Sequence, residues 1–154
     1  MNWLYTISFD SRPIATITPV IALKYKDGIT MAADCLASSG SLVQLRNEKC
    51  LMSVGEITML GVSGNISDLQ HMQHTLESLL TQEYYMDDGQ KLGTKSVYKC
   101  ISNIMYSRRT KSDPLWNAYV IGDLDNGENV LGFVNLYGTT YQLAGTWRSR
   151  SESK

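Results

Sequence analysis

Leu60-Gly61-Val62-Ser63-Gly64-Asn65-Ile66-Ser67-Asp68 is the stretch in which the chain changes its hydrophobic period, and the fold is read outward from it. Upstream, Cys50-Leu51-Met52-Ser53-Val54 and Ile57-Thr58-Met59-Leu60-Gly61-Val62 are short apolar runs joined by Gly55-Glu56, the pattern of a β-hairpin. Downstream, Ile66, Leu69, Met72, Leu76 and Leu80 recur every three or four residues and so share one helix face. Ser67 and Gln70 have capping-box spacing near the start of that helix.

An earlier hairpin is predicted from Val20-Ile21-Ala22-Leu23 and Ile29-Thr30-Met31-Ala32-Ala33 around Lys26-Asp27-Gly28. Its strands run apolar rather than alternate, which predicts cover on both faces. Ser38-Ser39-Gly40-Ser41 reads as a loop. After the turn-rich Met86-Asp87-Asp88-Gly89, Thr94 is placed to cap a second helix. On that helix Val97, Ile101, Ile104, Met105 and Arg108 share a face with Cys100 beside them, and Asp113-Pro114 closes it. A third hairpin follows, Ala118-Tyr119-Val120-Ile121 and Val130-Leu131-Gly132-Phe133-Val134 about Asp125-Asn126-Gly127, and Thr139-Thr140-Tyr141 begins a further strand. Helices laid on a mainly antiparallel sheet predict an α+β layered fold. One domain spans 14–143, preceded by an extension over 1–13. The segment 144–154, with Trp147 onward in neither period, is expected to be a disordered tail.

The chain has 154 residues, 43% of them hydrophobic and 19% charged, with a net charge of −1. That is enough to build one core, and the near-neutral balance gives no electrostatic case for a nucleic-acid or membrane partner. No run approaches the roughly 20 apolar residues of a membrane span. The apolar N-terminus lacks a basic leader, so no signal peptide is expected. Cys35, Cys50 and Cys100 form neither a disulfide framework nor a zinc ligand set, and each is expected to be a small buried hydrophobe. Such usage points to a reducing compartment, cytoplasmic or nuclear. No cofactor is implied.

Four segments resemble one family. They are Ile29-Thr30-Met31-Ala32-Ala33-Asp34, then Gly40-Ser41-Leu42, then the opening stretch 60–68, and most specifically Met105-Tyr106-Ser107-Arg108-Arg109-Thr110-Lys111-Ser112-Asp113-Pro114-Leu115-Trp116-Asn117. Together, from about residue 16 to about residue 142, they resemble the beta-type subunits of the 20S proteasome, and the last segment is similar to non-catalytic members in particular. The resemblance implies the N-terminal-nucleophile hydrolase fold, a four-layer αββα sandwich that is incomplete here at its C-terminus. It also implies partners: other alpha and beta subunits in stacked seven-membered rings that carry out ubiquitin-dependent protein degradation.

Active members of that family attack the peptide carbonyl with an N-terminal Thr whose freed α-amine is the base, tuned by a Lys and an Asp. The resemblance places Thr18 at the nucleophile position. Ile17 stands where self-cleaving members have Gly, and Pro19 follows with fixed φ and no N–H. Asp34 matches the first carboxylate and is expected to be buried, hydrogen-bonded to the 38–41 loop. Cys50 falls at the Lys position. The adjacent Lys49 replaces it only through a register slip, because successive side chains on a strand face opposite ways. The later Ser and Asp belong to a part of the fold beyond this match. The reading is therefore a non-catalytic ring subunit, against two rivals: an active threonine peptidase subunit, or a truncated product unable to assemble.

His71 and His74 lie three apart on the first helix, and with no third ligand evident they are expected at the surface rather than on a metal. Arg108, Arg109 and Lys111 suit salt bridges at a subunit contact or a helix C-terminus, or else a solvated helix end. Trp116, beside Pro114 and Leu115, reads as a core or interface anchor.

Overall fold

Strand β7 (Thr58–Asn65) is paired along both edges. In the computed structural model, which describes residues 16–17, 19–25, 28–39, 42–46, 49–55, 58–86, 93–125, 128–143 and 147–148, β8 (Asn117–Asp125) lies antiparallel along one edge of β7. The other edge is shared by β6 (Leu51–Val54) and, at its last two residues, by β1 (Thr16–Ile17). Beyond β1 come β4 (Leu36–Ser39) and β5 (Leu42–Arg46); beyond β8 come β9 (Glu128–Val134) and β10 (Thr140–Leu143). A second sheet contains β2 (Val20–Tyr25) between β3 (Gly28–Ala33) and β11 (Trp147–Arg148).

Helices α1 (Ile66–Met86) and α2 (Thr94–Thr110) cover one face of the large sheet, α1 over β6 and β7 and α2 over β8 and β9. The apolar stripes are those read from the period. Ile66, Leu69, Met72 and Leu76 of α1 are buried, as are Val97, Ile101 and Met105 of α2, with Leu80 and Ile104 partly so. Each such side chain contributes about 1.5–3 kcal/mol by leaving water. The small sheet packs on the opposite face of the large one, with Ala22, Ile29 and Met31 against Val120, Leu131 and Phe133. Consequently β8 is buried on both sides, Tyr119 and Ile121 toward the helices and Val120 toward the small sheet. Helices, large sheet and small sheet are thus three layers of an α+β sandwich.

Several local expectations change. The first hairpin is β2–β3 as read, but it is covered on one face only: Ile21 and Leu23 are 42% and 43% exposed. Nothing among the described residues packs over that face, because both helices lie on the other side of the molecule. Ser38 and Ser39 belong to β4 rather than to a loop, while residues 40–41 lie outside the described residues. Helix α1 is capped by Asn65, whose Oδ1 accepts from the Ser67 N–H at 3.3 Å, so Ser67 sits inside the first turn. Thr94 does not cap α2; its hydroxyl is buried and meets that of Thr58 at 2.6 Å. Helix α2 ends at Thr110, short of Asp113-Pro114. Its stop is Ser112 in left-handed geometry (φ 58°), with Ser112 N–H donating to Arg109 O and Asp113 N–H to Arg108 O, a Schellman closure. The third hairpin holds, Asp125 opposite Glu128, and β10 extends it; turn residues 126–127 lie outside the described set. Of the segment 144–154, expected not to pack, Trp147 and Arg148 pair with Ala22 and Ile21, the open edge of β2 supplying a ladder that periodicity does not reveal. The remainder of that segment and all of 1–13 lie outside the described residues.

Gly64 allows a close approach of two chain segments. It sits at φ 127°, and a Cβ there would lie 2.1 Å from the Trp116 carbonyl oxygen. A Cβ at Gly122 would meet the end of the Met31 side chain at 2.5 Å, an atom that can move aside. Gly64→Ala is therefore expected to cost about 3–5 kcal/mol, and Gly122→Ala about 1 kcal/mol, in urea denaturation. On the uncovered face, replacing Ile21 and Leu23 together by Thr is expected to lower binding of a hydrophobic fluorescent dye while moving stability by less than about 0.5 kcal/mol.

Candidate functional site

Three positions bear on hydrolytic chemistry, and two of them, Asp34 and Cys50, lie within the described residues. Asp34 follows β3 in the connection to β4 and is exposed, not buried as expected. Cys50 precedes β6 and lies in the apolar cluster beneath the helices with Ala37, Val54, Leu60 and Val62. Its carbonyl accepts from the Val62 N–H at 2.9 Å, which prolongs the β6–β7 ladder by one rung. Lys49 is exposed, so the thiol faces apolar side chains and the neighbouring ammonium faces water, the alternation expected of extended chain. Thr18 lies outside the described residues, but both of its flanks are placed. Thr16 and Ile17 form β1, hydrogen-bonded between β7 and β4, and Pro19 leads into β2 in the other sheet.

The remaining sequence candidates distribute over the surface. Cys35 is exposed and Cys100 half-buried, so only Cys50 meets the expectation of a buried thiol. Burial pushes the Cys100 thiol above its ordinary value. His71 and His74 are exposed on α1, and His74 borders an open groove with Glu77, Thr81 and Tyr85. Arg108 Nη1 pairs with Asp113 Oδ2 at 2.9 Å, which bridges the helix end. Arg109 lies over the Tyr137 ring at 5.3 Å, and Lys111 is exposed. Trp116 is 39% exposed and is not a core residue; its neighbour Leu115 fills that role.

Side-chain patterning missed the part that Trp116 plays through its main chain. Its carbonyl accepts from the Asn65 N–H at 3.1 Å and its N–H donates to Asp68 Oδ2 at 2.9 Å. Residues 64–68 and 114–117, both within the segments that carried the resemblance, are therefore bonded to each other where β7 passes into α1. Beside them Asn117 Nδ2 donates to the Tyr119 hydroxyl at 3.3 Å. A buried polar cluster was missed as well. Thr58 and Asp123 are register partners on adjacent strands, and Thr94 bonds Thr58 from the start of α2. Asp123 Oδ1 has no partner among the described residues, and the positive end of the helix macrodipole favours a carboxylate there.

Two antiparallel sheets face to face, with helices on the outside of one, define the layered α+β class of the N-terminal-nucleophile hydrolases. Comparison with known proteins agrees: the family model described as proteasome subunit matches residues 15–147. Proteasome subunit beta type-4 of Arabidopsis thaliana is 38% identical over 130 residues, 84% of this chain and 53% of that protein. Beta type-4 of Xenopus laevis is 38% identical over 131 residues, 85% and 54% respectively. Beta type-7 of Saccharomyces cerevisiae is 41% identical over 135 residues, 84% and 51%. The chain belongs to the proteasome subunit family. It spans about half the length of these curated relatives.

Tyr119 connects this junction to a measurable pH dependence. Burial raises its phenol well above the ordinary range; the Asn117 hydrogen bond works against this, and the Asp68 carboxylate adds to it. A folded value above the unfolded one near 10 stabilises the fold fully below about pH 10, and that stabilisation is lost as pH climbs toward the folded value. Urea denaturation at pH 9 and pH 11.5 is expected to show a larger alkaline loss for the wild type than for Tyr119→Phe.

Proposed function

We propose that this chain is a non-catalytic beta-type subunit of the 20S proteasome core, acting in the cytoplasm and nucleus by supplying ring surfaces to the proteolytic particle. The observation that carries the reading is β1. A family nucleophile at Thr18 requires cleavage between Ile17 and Thr18 to free its amine, yet Thr16 and Ile17 pair with Asn65 and Gly64 on one side and with Ser38 and Ala37 on the other. Among the described residues β1 is the only strand linking the β4–β5 hairpin to the rest of its sheet. Cleavage there would sever β2 from the strand that holds β4 and β5 in place. The thiol of Cys50, buried among apolar side chains at the Lys position, supports the same conclusion, since it puts no ammonium there to tune a hydroxyl.

The relatives' names give the family context for assembly, and the uncovered apolar face of β2 and β3 gives a physical motive for it. Core particles reconstituted with the wild-type chain are expected to carry it with the Ile17–Thr18 bond intact by mass spectrometry, unmodified by a threonine-directed epoxyketone. Thr18→Ala is expected to leave peptide hydrolysis by the particle unchanged. Covalent labelling of Thr18 would establish the active-peptidase alternative, and failure to co-sediment with core particles would establish the assembly-incompetent one.

A further inference from the structure

The end of α2 and the turn between β9 and β10 build a surface that neither the core nor the degenerate catalytic positions employ. Tyr106 and Arg109 share the helix face that carries Ser102, and Ser102 Oγ donates to the Gly138 carbonyl at 2.9 Å. Gly138, at φ 77°, lies so close to the Tyr106 backbone that a Cβ would come within 2.8 Å of its nitrogen. Asn135 closes the turn, its Oδ1 accepting from Tyr137 N–H at 3.0 Å and Thr139 N–H at 2.9 Å. The result is a rigid platform. Tyr106 and Tyr137 stand 58% and 52% exposed, with the Arg109 guanidinium 5.3 Å over the second ring.

The charges here are not balanced internally. Of Arg108, Arg109 and Lys111, only Arg108 has an ion-pair partner among the described residues, Asp113, which leaves two exposed cations in a chain whose net charge is −1. The Schellman closure also engages the last helix carbonyls: Lys111, Ser112 and Asp113 N–H groups donate to residues 107–109. A guanidinium with one face on a ring keeps its N–H edges for a carboxylate, and tyrosine with arginine is the pairing enriched at interface centres. Two net charges are too few for a nucleic-acid footprint.

We propose that Tyr106, Arg109, Lys111 and Tyr137 form a docking surface for an Asp/Glu-rich segment of a neighbouring subunit. The proposal rests on the ring-subunit reading for its partner, and two experiments separate the two claims. First, the isolated 154-residue chain is titrated with an octaglutamate peptide, with octalysine as control, and followed by backbone amide NMR. The expected result is shifts confined to residues 106–111 and 136–138, binding weakened about fivefold between 50 and 300 mM salt, and a loss of about tenfold in the Arg109→Glu, Lys111→Glu double variant. Arg109→Lys, which keeps the charge and loses the planar fork, is expected to retain only part of the binding. No binding, or binding indifferent to charge reversal, overturns the proposal. Second, a photo-crosslinking phenylalanine at position 137 is carried into reconstituted core particles. A cross-link into an acidic peptide supports the surface, and a cross-link into a neutral or basic one, or none from a chain that co-sediments, overturns it. A chain that does not co-sediment counts against the ring-subunit reading alone, and the peptide titration then decides the surface.

Discussion

The main chain of Trp116 holds the molecule's principal joint. One carbonyl and one N–H, bonded to Asn65 and to the Asp68 carboxylate, attach the start of α1 to the chain entering β8. That attachment sets where a 21-residue helix leaves the central strand, and therefore which face of the large sheet receives the apolar stripe from Ile66 to Leu76. It also explains the glycine. Only a residue without Cβ lets the Trp116 carbonyl come so close to position 64. The charge-assisted bond from Trp116 N–H is of the stronger kind, and it is made by a side chain in the first turn of α1, where a carboxylate also suits the helix dipole.

From this joint the two sides of the large sheet diverge in character. Toward the helices, the core is continuous from Ala37 through Leu60 and Val62 to Met105, and Cys50 is one of its members. A lysine there would have to carry an ammonium into that apolar cluster or reach past it, whereas a thiol packs as a small hydrophobe. At position 50 the cysteine therefore completes the core beneath the helices. The strand before Thr18 makes the same point: its two residues join β7 to β4, so the continuous backbone has structural value that processing would destroy.

On the opposite side the last layer among the described residues is the small sheet, where Ile21, Leu23 and Tyr25 of β2 are exposed. Surfaces of that kind are normally covered. The basic, aromatic end of α2 is a different sort of surface, polar and cationic, suited to select a partner rather than to bury area. The two lie on different layers, one on the outer sheet and the other on the helix side, so a subunit built this way can use both at once.

Both helices, the three hairpins and the family were determined by the sequence alone, because each rests on local information: a period of three to four against short apolar runs, turn residues at fixed places, and the distinctive run from Tyr106 to Asn117. The identities of the residues at positions 18 and 50, a threonine before proline and a cysteine, were equally open to reading, being local facts. What only the tertiary structure decided was everything that depends on a distant partner. Ser38 and Ser39 are strand because β1 and β5 flank them, and Trp147 and Arg148 are strand because β2 has an open edge. Asn65 caps α1 in place of Ser67, and Thr94 turns inward to Thr58. Asp34 is exposed and one face of the first hairpin is uncovered among the described residues, for burial is a property of what lies across a gap, and the chain's own pattern at those residues does not say what lies there.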